Sequence, residues 1–410
     1  MNEYNKIIEC LKKVYSGKNL KEEVGKYDSD EKRNKIKNHC YEIIRNYFQI
    51  NYIIGKFTKH VKQETLIILQ IGIYELLYSK KPEYAIINDL VNITKKQNNQ
   101  SIGKFVNAVL RNYLRNKDSI KIEDLNNESI KYNLPLWLIK KIKGNFLTEY
   151  ENIFKGLKEV PALSIRVNNR KISQVEYLSL LENNNIEYIL ENNKITLKNY
   201  CMANTLPGFN DGLLSIQDLA AQYLIDILDE HEIVPSNVLD ACAAPGGKTC
   251  QLLENYSPKQ LIALDSSESR LRKIQENLER LDLNAKLVCA DASLTDWWDG
   301  SKYDLIIADV PCSATGTIKR NPDIKINRLE SDIEKFVQLQ RKIVINLFDL
   351  LEEGKYMVYI TCSILHDENQ NNIKWFINRI KGFKLIKELQ ILPDKKSDSL
   401  YYALIQKEIN

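Results

Sequence analysis

Histidine is scarce in this chain, with four in 410 residues. None of the eight cysteines (10, 40, 201, 242, 250, 289, 312 and 362) pairs with another at Cys-x-x-Cys spacing. Neither a zinc site nor a disulfide framework is therefore expected. Long apolar runs are missing as well: no stretch reaches the ~18 residues that a membrane-spanning helix requires. The opening MNEYNKIIECLKK is polar and amphipathic, without the apolar centre or cleavage site of an export signal. No internal repeat stands out. The expectation is a chain of the reducing cytoplasm, without membrane or metal. Its 44% hydrophobic and 27% charged residues suit an ordinary globular protein long enough for two or three domains.

The net charge of +4 hides an asymmetry. Residues 1–140 hold 25 Lys and Arg against 16 Asp and Glu, a balance of +9, and the remainder holds −5. A solvated helical surface is the ordinary meaning of such a bias, but it also permits the front third to meet a polyanion such as RNA. There, apolar residues recur at three- and four-residue intervals over 32–57, 64–78, 85–96 and 102–115, which predicts a small helical bundle. A polar connector at 119–145 carries the amphipathic stretch LPLWLIKKI. Residues 163–198 then read strand (163–168), helix (173–183), strand (186–190) and strand (194–198), a small α+β unit. Arg166, Arg170 and Lys171 stand near the end of its first strand as candidate phosphate contacts, or equally as ordinary surface cations. Residues 212–228 read as a helix leading into the next domain.

The stretch that organises the rest is VLDACAAPGGKT, 238–249. An apolar run, a small-residue turn ending at Gly246 and Gly247, and helix-forming sequence from Lys248 make a strand–turn–helix that lets backbone approach a nucleotide-like ligand. Three further strands follow, LIALD ending at Asp265, AKLVCAD ending at Asp291 and YDLIIADVP reaching Asp309. Acids in register along the carboxyl edge of a parallel sheet, beside a glycine turn, indicate a site for a nucleoside cofactor. Beyond Asp309 the reading is a helix (331–351), a strand (355–361), a strand within 383–392 and a last strand SLYYALIQK, the final two close together as in an antiparallel hairpin.

Two cysteines leave the sheet at this edge. Cys312 follows Pro311 after the fourth strand, and Cys362 stands in YITCS after the fifth. Neighbouring strands in a doubly wound sheet direct both sulfurs to one pocket. Cys10, Cys40, Cys201, Cys250 and Cys289 read instead as small buried hydrophobes. A thiolate adding to carbon 6 of a pyrimidine makes carbon 5 nucleophilic towards an electrophilic methyl group. An acid near ring nitrogen 3, here Asp309, stabilises the charge that builds. Loss of the hydrogen at carbon 5 then lets the thiol depart. One nucleophile and one residue assisting release account for both sulfurs.

DACAAPGGKT, DVPCSATG, KRNPDIK, YITCS and SIQDLAAQ together resemble the Sun-type RNA cytosine-5 methyltransferases. TLIILQIGIYELLY, PEYAIINDLVNITKK and GKFVNAVLRNYL resemble the NusB family of helical RNA-binding domains, over roughly residues 3–118. The combination is similar to the bacterial RsmB type, over nearly the whole chain. The resemblance implies a multi-domain protein: an all-α NusB-like RNA-binding bundle (1–140), a small α+β RNA-binding domain (146–210), and an α/β doubly wound, Rossmann-like class I methyltransferase domain (211–410). It implies S-adenosylmethionine as cofactor and 16S ribosomal RNA, free or in an assembling small subunit, as partner. The cofactor would be held by Cys242, Ala243, Ala244, Pro245, Gly246, Gly247 and Lys248, with Asp265 at the ribose, Asp291 near the adenine and Asp309 at the methionine end. Cys362 would be the nucleophile and Cys312 the residue assisting release, with Asp309 and Lys248 at the target base and Arg320 in a loop facing RNA. Val310 stands where the family often has Ala, and SDSLYYA replaces a DGFF-like segment; neither departure removes a catalytic group. A DNA-type methyltransferase would instead make Cys312 the nucleophile, and an RNA-binding assembly factor would keep the fold without turnover.

Overall fold

The computed structural model describes residues 3–28, 31–96, 100–120 and 126–409. They divide into a helical unit, formed by the described residues of Met1–Leu147 with Ile318–Glu330, and a second unit, Thr148–Thr317 with Ser331–Asn410.

The helical unit begins with α1 (Glu3–Tyr15), α2 (Leu20–Gly25), α3 (Arg33–Arg45), α4 (Tyr47–Gly55), α5 (Gln63–Tyr78), α6 (Glu83–Lys96), α7 (Gln100–Asn116), α8 (Glu128–Tyr132) and α9 (Leu136–Asn145). The one helix expected over 32–57 is two. It breaks at Asn46, whose φ of −103° and ψ of 21° leave the helical region and whose amide donates to Glu42 O at 2.9 Å. A side chain that competes for helix carbonyls favours such a boundary. In α5 nearly every face is buried, Ile67, Ile68, Leu69, Ile71 and Ile73 included, so this helix forms the bundle's centre. α6 and α7 pass close enough that a Cβ at Gly72 would lie 2.8 Å from Leu110 and 3.0 Å from Leu90. Two short helices, α8 and α9, occupy the 119–145 connector, of which residues 121–125 lie outside the described residues.

A distant piece of sequence completes this unit. Within 318–330, α15 (Ile324–Asn327; α10 to α14 follow below) carries Ile326 onto the helical core. The Asp323 carboxylate accepts from Leu20 N at 3.2 Å and Asn19 Nδ2 at 3.4 Å. Arg45 donates to Lys319 O at 3.1 Å, and Lys325 Nζ donates to Asn133 O at 3.1 Å and to Arg45 O.

The second unit opens with α10 (Tyr150–Lys158) and a small antiparallel sheet. Its members are β1 (Leu163–Val167), β2 (Tyr188–Glu191), β3 (Lys194–Leu197) and β4 (Leu214–Ile216), in the order β2-β3-β1-β4, covered by α11 (Gln174–Asn183). The helix expected over 212–228 therefore starts late. Residues 214–216 pair with the free edge of β1, Val167 opposite Leu214, and Asp218 caps α12 (Leu219–Glu230) by accepting from Ala220 N at 2.9 Å. An available sheet edge outweighs the helical propensity of three residues.

The large sheet follows: β5 (Asn237–Ala241), α13 (Gly247–Asn255), β6 (Gln260–Asp265), α14 (Glu268–Leu281), β7 (Lys286–Cys289), β8 (Tyr303–Asp309), α16 (Ser331–Leu350), β9 (Leu351–Thr361), α17 (Gln370–Arg379), β10 (Phe383–Ile391) and β11 (Leu400–Lys407). Its order is β10-β11-β9-β8-β5-β6-β7. The strands from β9 to β7 run parallel, and β11 pairs antiparallel with both β9 and β10. Side chains alternate between two cores. Leu305 and Ile307 join the α12–α14 side, while Ile306 and Ala308 join the α16–α17 side. Chain order departs in opposite directions from β5 and β8, so their carboxyl ends border the switch-point crevice where such sheets bind ligands.

Candidate active site

The turn after β5 is set by backbone. Cys242 has φ +59° and Gly246 φ +94°, and the Ala244–Pro245 peptide is cis. Ala243 N donates to Leu264 O at 2.9 Å and Gly246 N to Ala243 O at 2.8 Å, closing the loop against β6. Positive φ at Gly246 and an ideal Cβ 3.0 Å from Ile274 Cγ2 make glycine the residue that fits there. Asp265 ends β6 with a buried carboxylate that accepts from Ala244 N (3.1 Å) and Ser267 N (3.2 Å) and pairs with Arg270 at 3.3 Å. Acid and turn thus hold each other. Asp291 lies two residues past β7, exposed, and accepts from Ser293 N at 2.8 Å.

Asp240 differs from the other acids. It is completely buried, accepts from Thr249 Oγ1, and its Oδ1 has no hydrogen-bond partner among the described residues. Burial pushes its carboxyl up to about 7. The unfolded carboxyl titrates near 4, so ionising it costs the folded state more than the unfolded chain. Its contribution to stability is complete below that lower value and is lost as pH rises through about 7. Thermal melting between about pH 5 and 7 is expected to show a downward slope that Asp240→Asn flattens; equal slopes for both proteins would sink this.

Asp309 and Lys248 meet at 2.7 Å, Asp309 at the end of β8 and Lys248 in the first turn of α13. Burial works against the ammonium charge, but Asp309, through its charge and hydrogen bond, outweighs it and holds the Lys248 proton above the usual lysine range. The two thiols meet as well, with Cys312 Sγ 3.2 Å from Cys362 Sγ. β8 and β9 pair in register up to Asp309 and Ile360, and Val310 N donates to Ile360 O at 3.1 Å, so the two turns leave the sheet side by side. Gly316 N donates to Cys362 O at 3.0 Å, and a Cβ at Gly316 would stand 2.8 Å from that oxygen. The hydrogen bond with Cys362, followed by burial, raises the Cys312 thiol well above its usual range.

The structure therefore brings Cys312 to Cys362 and Lys248 to Asp309, and ties Asp265 to the turn that runs from Cys242 to Gly247. It does not leave Arg166 for RNA. That guanidinium is buried, donating to both Glu254 oxygens at 2.7 and 2.9 Å, to Gln217 and to Gly247 O at 3.1 Å. Arg170 is exposed but donates to Tyr256 O and Ser257 Oγ. Arg320 is half-buried in the segment that completes the helical unit. Of the cysteines read as buried, Cys10, Cys40 and Cys250 are so. Cys201 is half-buried and Cys289, on the edge strand β7, is exposed. Sequence spacing passed over Glu368, buried between the two cysteine turns. Its one signal is an acid six residues after Cys362 in a polar run. Among the described residues no group of three or more His, Cys, Asp or Glu could hold a metal ion, and no helix is long and apolar enough to cross a membrane.

Residues 227–406 match the family described as 16S rRNA methyltransferase RsmB/F, residues 4–115 the NusB family, and residues 134–201 the ferredoxin-like domain of RsmF/B-like methyltransferases. The chain is 33% identical over 384 residues to ribosomal RNA small subunit methyltransferase B of Vibrio cholerae, covering 90% of this chain and 88% of that one. It is 36% identical over 388 residues to the protein of the same name from Shewanella oneidensis, covering 90% and 89%. The crystal structure of PH0851 superposes with a TM-score of 0.81 at 24% identity, over 99% of both chains, which speaks for the fold.

Proposed function

Because the chain belongs to the RsmB/F family of 16S rRNA methyltransferases, we propose that it methylates carbon 5 of one cytosine in 16S ribosomal RNA through a covalent adduct on Cys362. The observation that carries this reading is the pair of sulfurs 3.2 Å apart, which the reaction needs and a plain cofactor fold does not. The substrate is free RNA or the assembling small subunit, a cytoplasmic setting.

S-adenosylmethionine is the cofactor and supplies an electrophilic methyl group when bound. The residues present fit it. Gly247 is exposed, and where its Cβ would stand the nearest atom is Gln217 Nε2 at 3.8 Å, so backbone can lie against a ligand. The turn from Cys242 to Lys248, with Asp265 for the ribose, Asp291 for the adenine and Asp309 for the methionine end, would hold it.

The Cys362 thiolate attacks carbon 6 of the cytosine, and carbon 5 becomes the nucleophile. A lone carboxylate would oppose negative charge building on the ring. The Lys248 ammonium 2.7 Å from Asp309 gives that pair a proton to direct at ring nitrogen 3. Cys312 keeps its proton while a thiolate stands beside it. Once the Cys362 sulfur is bonded to carbon, that charge is gone and Cys312 can give its proton to solvent. Its thiolate then takes the carbon 5 hydrogen as a proton, and the electron pair left behind breaks the carbon 6–sulfur bond and expels Cys362 as a thiolate. Bisulfite sequencing of ribosomal RNA from a strain lacking the gene tests the whole reading. One cytosine loses its mark; an unchanged map overturns it.

Gly246→Ala tests the cofactor turn. A left-handed φ costs a non-glycine residue roughly 1–2 kcal/mol, and Ile274 must yield as well, so S-adenosylmethionine affinity is expected to fall about ten-fold or more. Calorimetric titration giving the unaltered Kd would count against that turn as the binding site.

A further inference from the structure

Each cysteine turn passes a serine to the same carboxylate. Ser313 follows Cys312, Ser363 follows Cys362, and Glu368 lies between them with no exposed surface. Glu368 Oε1 accepts from Ser313 N at 2.8 Å and from Gln340 Nε2 at 3.0 Å. Its Oε2 accepts from Ser313 Oγ at 2.5 Å and from Ser363 Oγ. The two serine hydroxyls lie 3.1 Å apart, and Thr315 Oγ1 stands 3.1 and 3.2 Å from them. The Glu368 backbone is held as well: Tyr359 OH donates to its carbonyl O at 2.6 Å, and Gln340 Nε2 also donates to Pro311 O at 3.0 Å, one residue before Cys312.

Burying a carboxylate is costly unless it is fully hydrogen-bonded, and apolar side chains could fill the same volume at less expense. Here four donors satisfy both oxygens, and three of the four belong to the residues immediately after the reactive cysteines. Burial works to raise the carboxyl's proton affinity, and the serine donors oppose it. A group so expensive to enclose, placed between the two turns, ties the position of one to the position of the other.

We propose that Glu368 is the positioning residue of the cysteine pair: its carboxylate, shared between Ser313 and Ser363, fixes the spacing of the Cys312 and Cys362 sulfurs. Its effect on turnover rests on the two-thiol reaction proposed above; its effect on the spacing rests on geometry alone. The two are separable by experiment.

The spacing is read without RNA. Diamide takes two electrons and two protons from a close pair of thiols, which join as a disulfide while the reagent is reduced to the hydrazine. The rate of Cys312–Cys362 linkage, followed by peptide mass spectrometry, reports how often the sulfurs meet. A displacement of about 1 Å costs on the order of 10²-fold in rate. Glu368→Ala is accordingly expected to lower kcat by that order, with KM for RNA and for S-adenosylmethionine unchanged, and to slow the linkage about ten-fold or more. Glu368→Gln rescues the linkage: its amide oxygen accepts from Ser313 N and Gln340, and the two serine hydroxyls turn to accept from its NH2. If Glu368→Ala does not fold, Ser313→Ala and Ser363→Ala each remove one tie and are expected to slow the linkage. Linkage at the unaltered rate in a folded Glu368→Ala, or in both serine variants, overturns the proposal. Slow linkage with undiminished turnover leaves the clamp standing and overturns the two-thiol reaction instead.

Discussion

Cys362→Ala is expected to abolish methyl transfer, with a fall in kcat on the order of 10⁶-fold as for removal of other covalent nucleophiles, and to give no covalent complex with a 5-fluorocytosine RNA. Cys312→Ala is expected to behave in the opposite way towards the adduct. Cys362 can still add to carbon 6, but with no base to take the hydrogen from carbon 5 the enzyme stays bonded even to ordinary cytosine RNA. Denaturing electrophoresis of labelled RNA separates the cases. The two thiols are 3.2 Å apart and lie on equivalent turns, so proximity does not assign their roles. The hydrogen bond between the sulfurs and their burial keep one proton on the pair, and the adduct experiment decides which sulfur carries it. Loss of the adduct in Cys312→Ala with its retention in Cys362→Ala would reverse the roles and give the DNA-type arrangement.

The second large effect concerns stability. Arg166 and Glu254 form a buried, two-pronged ion pair, their side chains 9% and 1% exposed. Removing one partner strands the other charge, so Glu254→Ala is expected to cost roughly 3–5 kcal/mol, a fall in Tm of ~10 °C for a unit of this size. Arg166 also donates to Gly247 O, which links β1 to the first turn of α13. Glu254→Ala should therefore weaken S-adenosylmethionine binding along with stability. Thermal melting decides: a drop of only a degree or so would mean that the pair contributes no more than an exposed one.

The same arginine shows where sequence reading stops. Arg166 at the end of a strand in a basic neighbourhood looks like a phosphate contact, because its partner, Glu254, lies on another element 88 residues away. Charge patterns along a chain do not reveal which charges the fold pairs. Glu368 stayed hidden for the reverse reason: an acid in a polar run looks solvated until the sheet brings Ser313 and Ser363 to it. What was legible depended on local periodicity or on chemistry at strand ends. The alternation in β8, the glycine turn after β5 and the cysteines beyond β8 and β9 are local signals, and the sheet order converts them into one site. Expectation and structure part where a side chain competes for helix carbonyls, as at Asn46, where a tertiary contact overrides a local preference, as at β4, or where an edge strand leaves Cys289 exposed.

Asp323, Lys325 and Ile326 reach the helical bundle from far downstream in the sequence. On the ribosome the bundle gains these contacts late, since the groups that cap Leu20 and cover the Arg45 and Asn133 carbonyls emerge only after the glycine turn and four strands of the large sheet have been made. A fragment cut at residue 147 would keep the buried core drawn from residues 4–113 and lose the caps that 318–330 supplies.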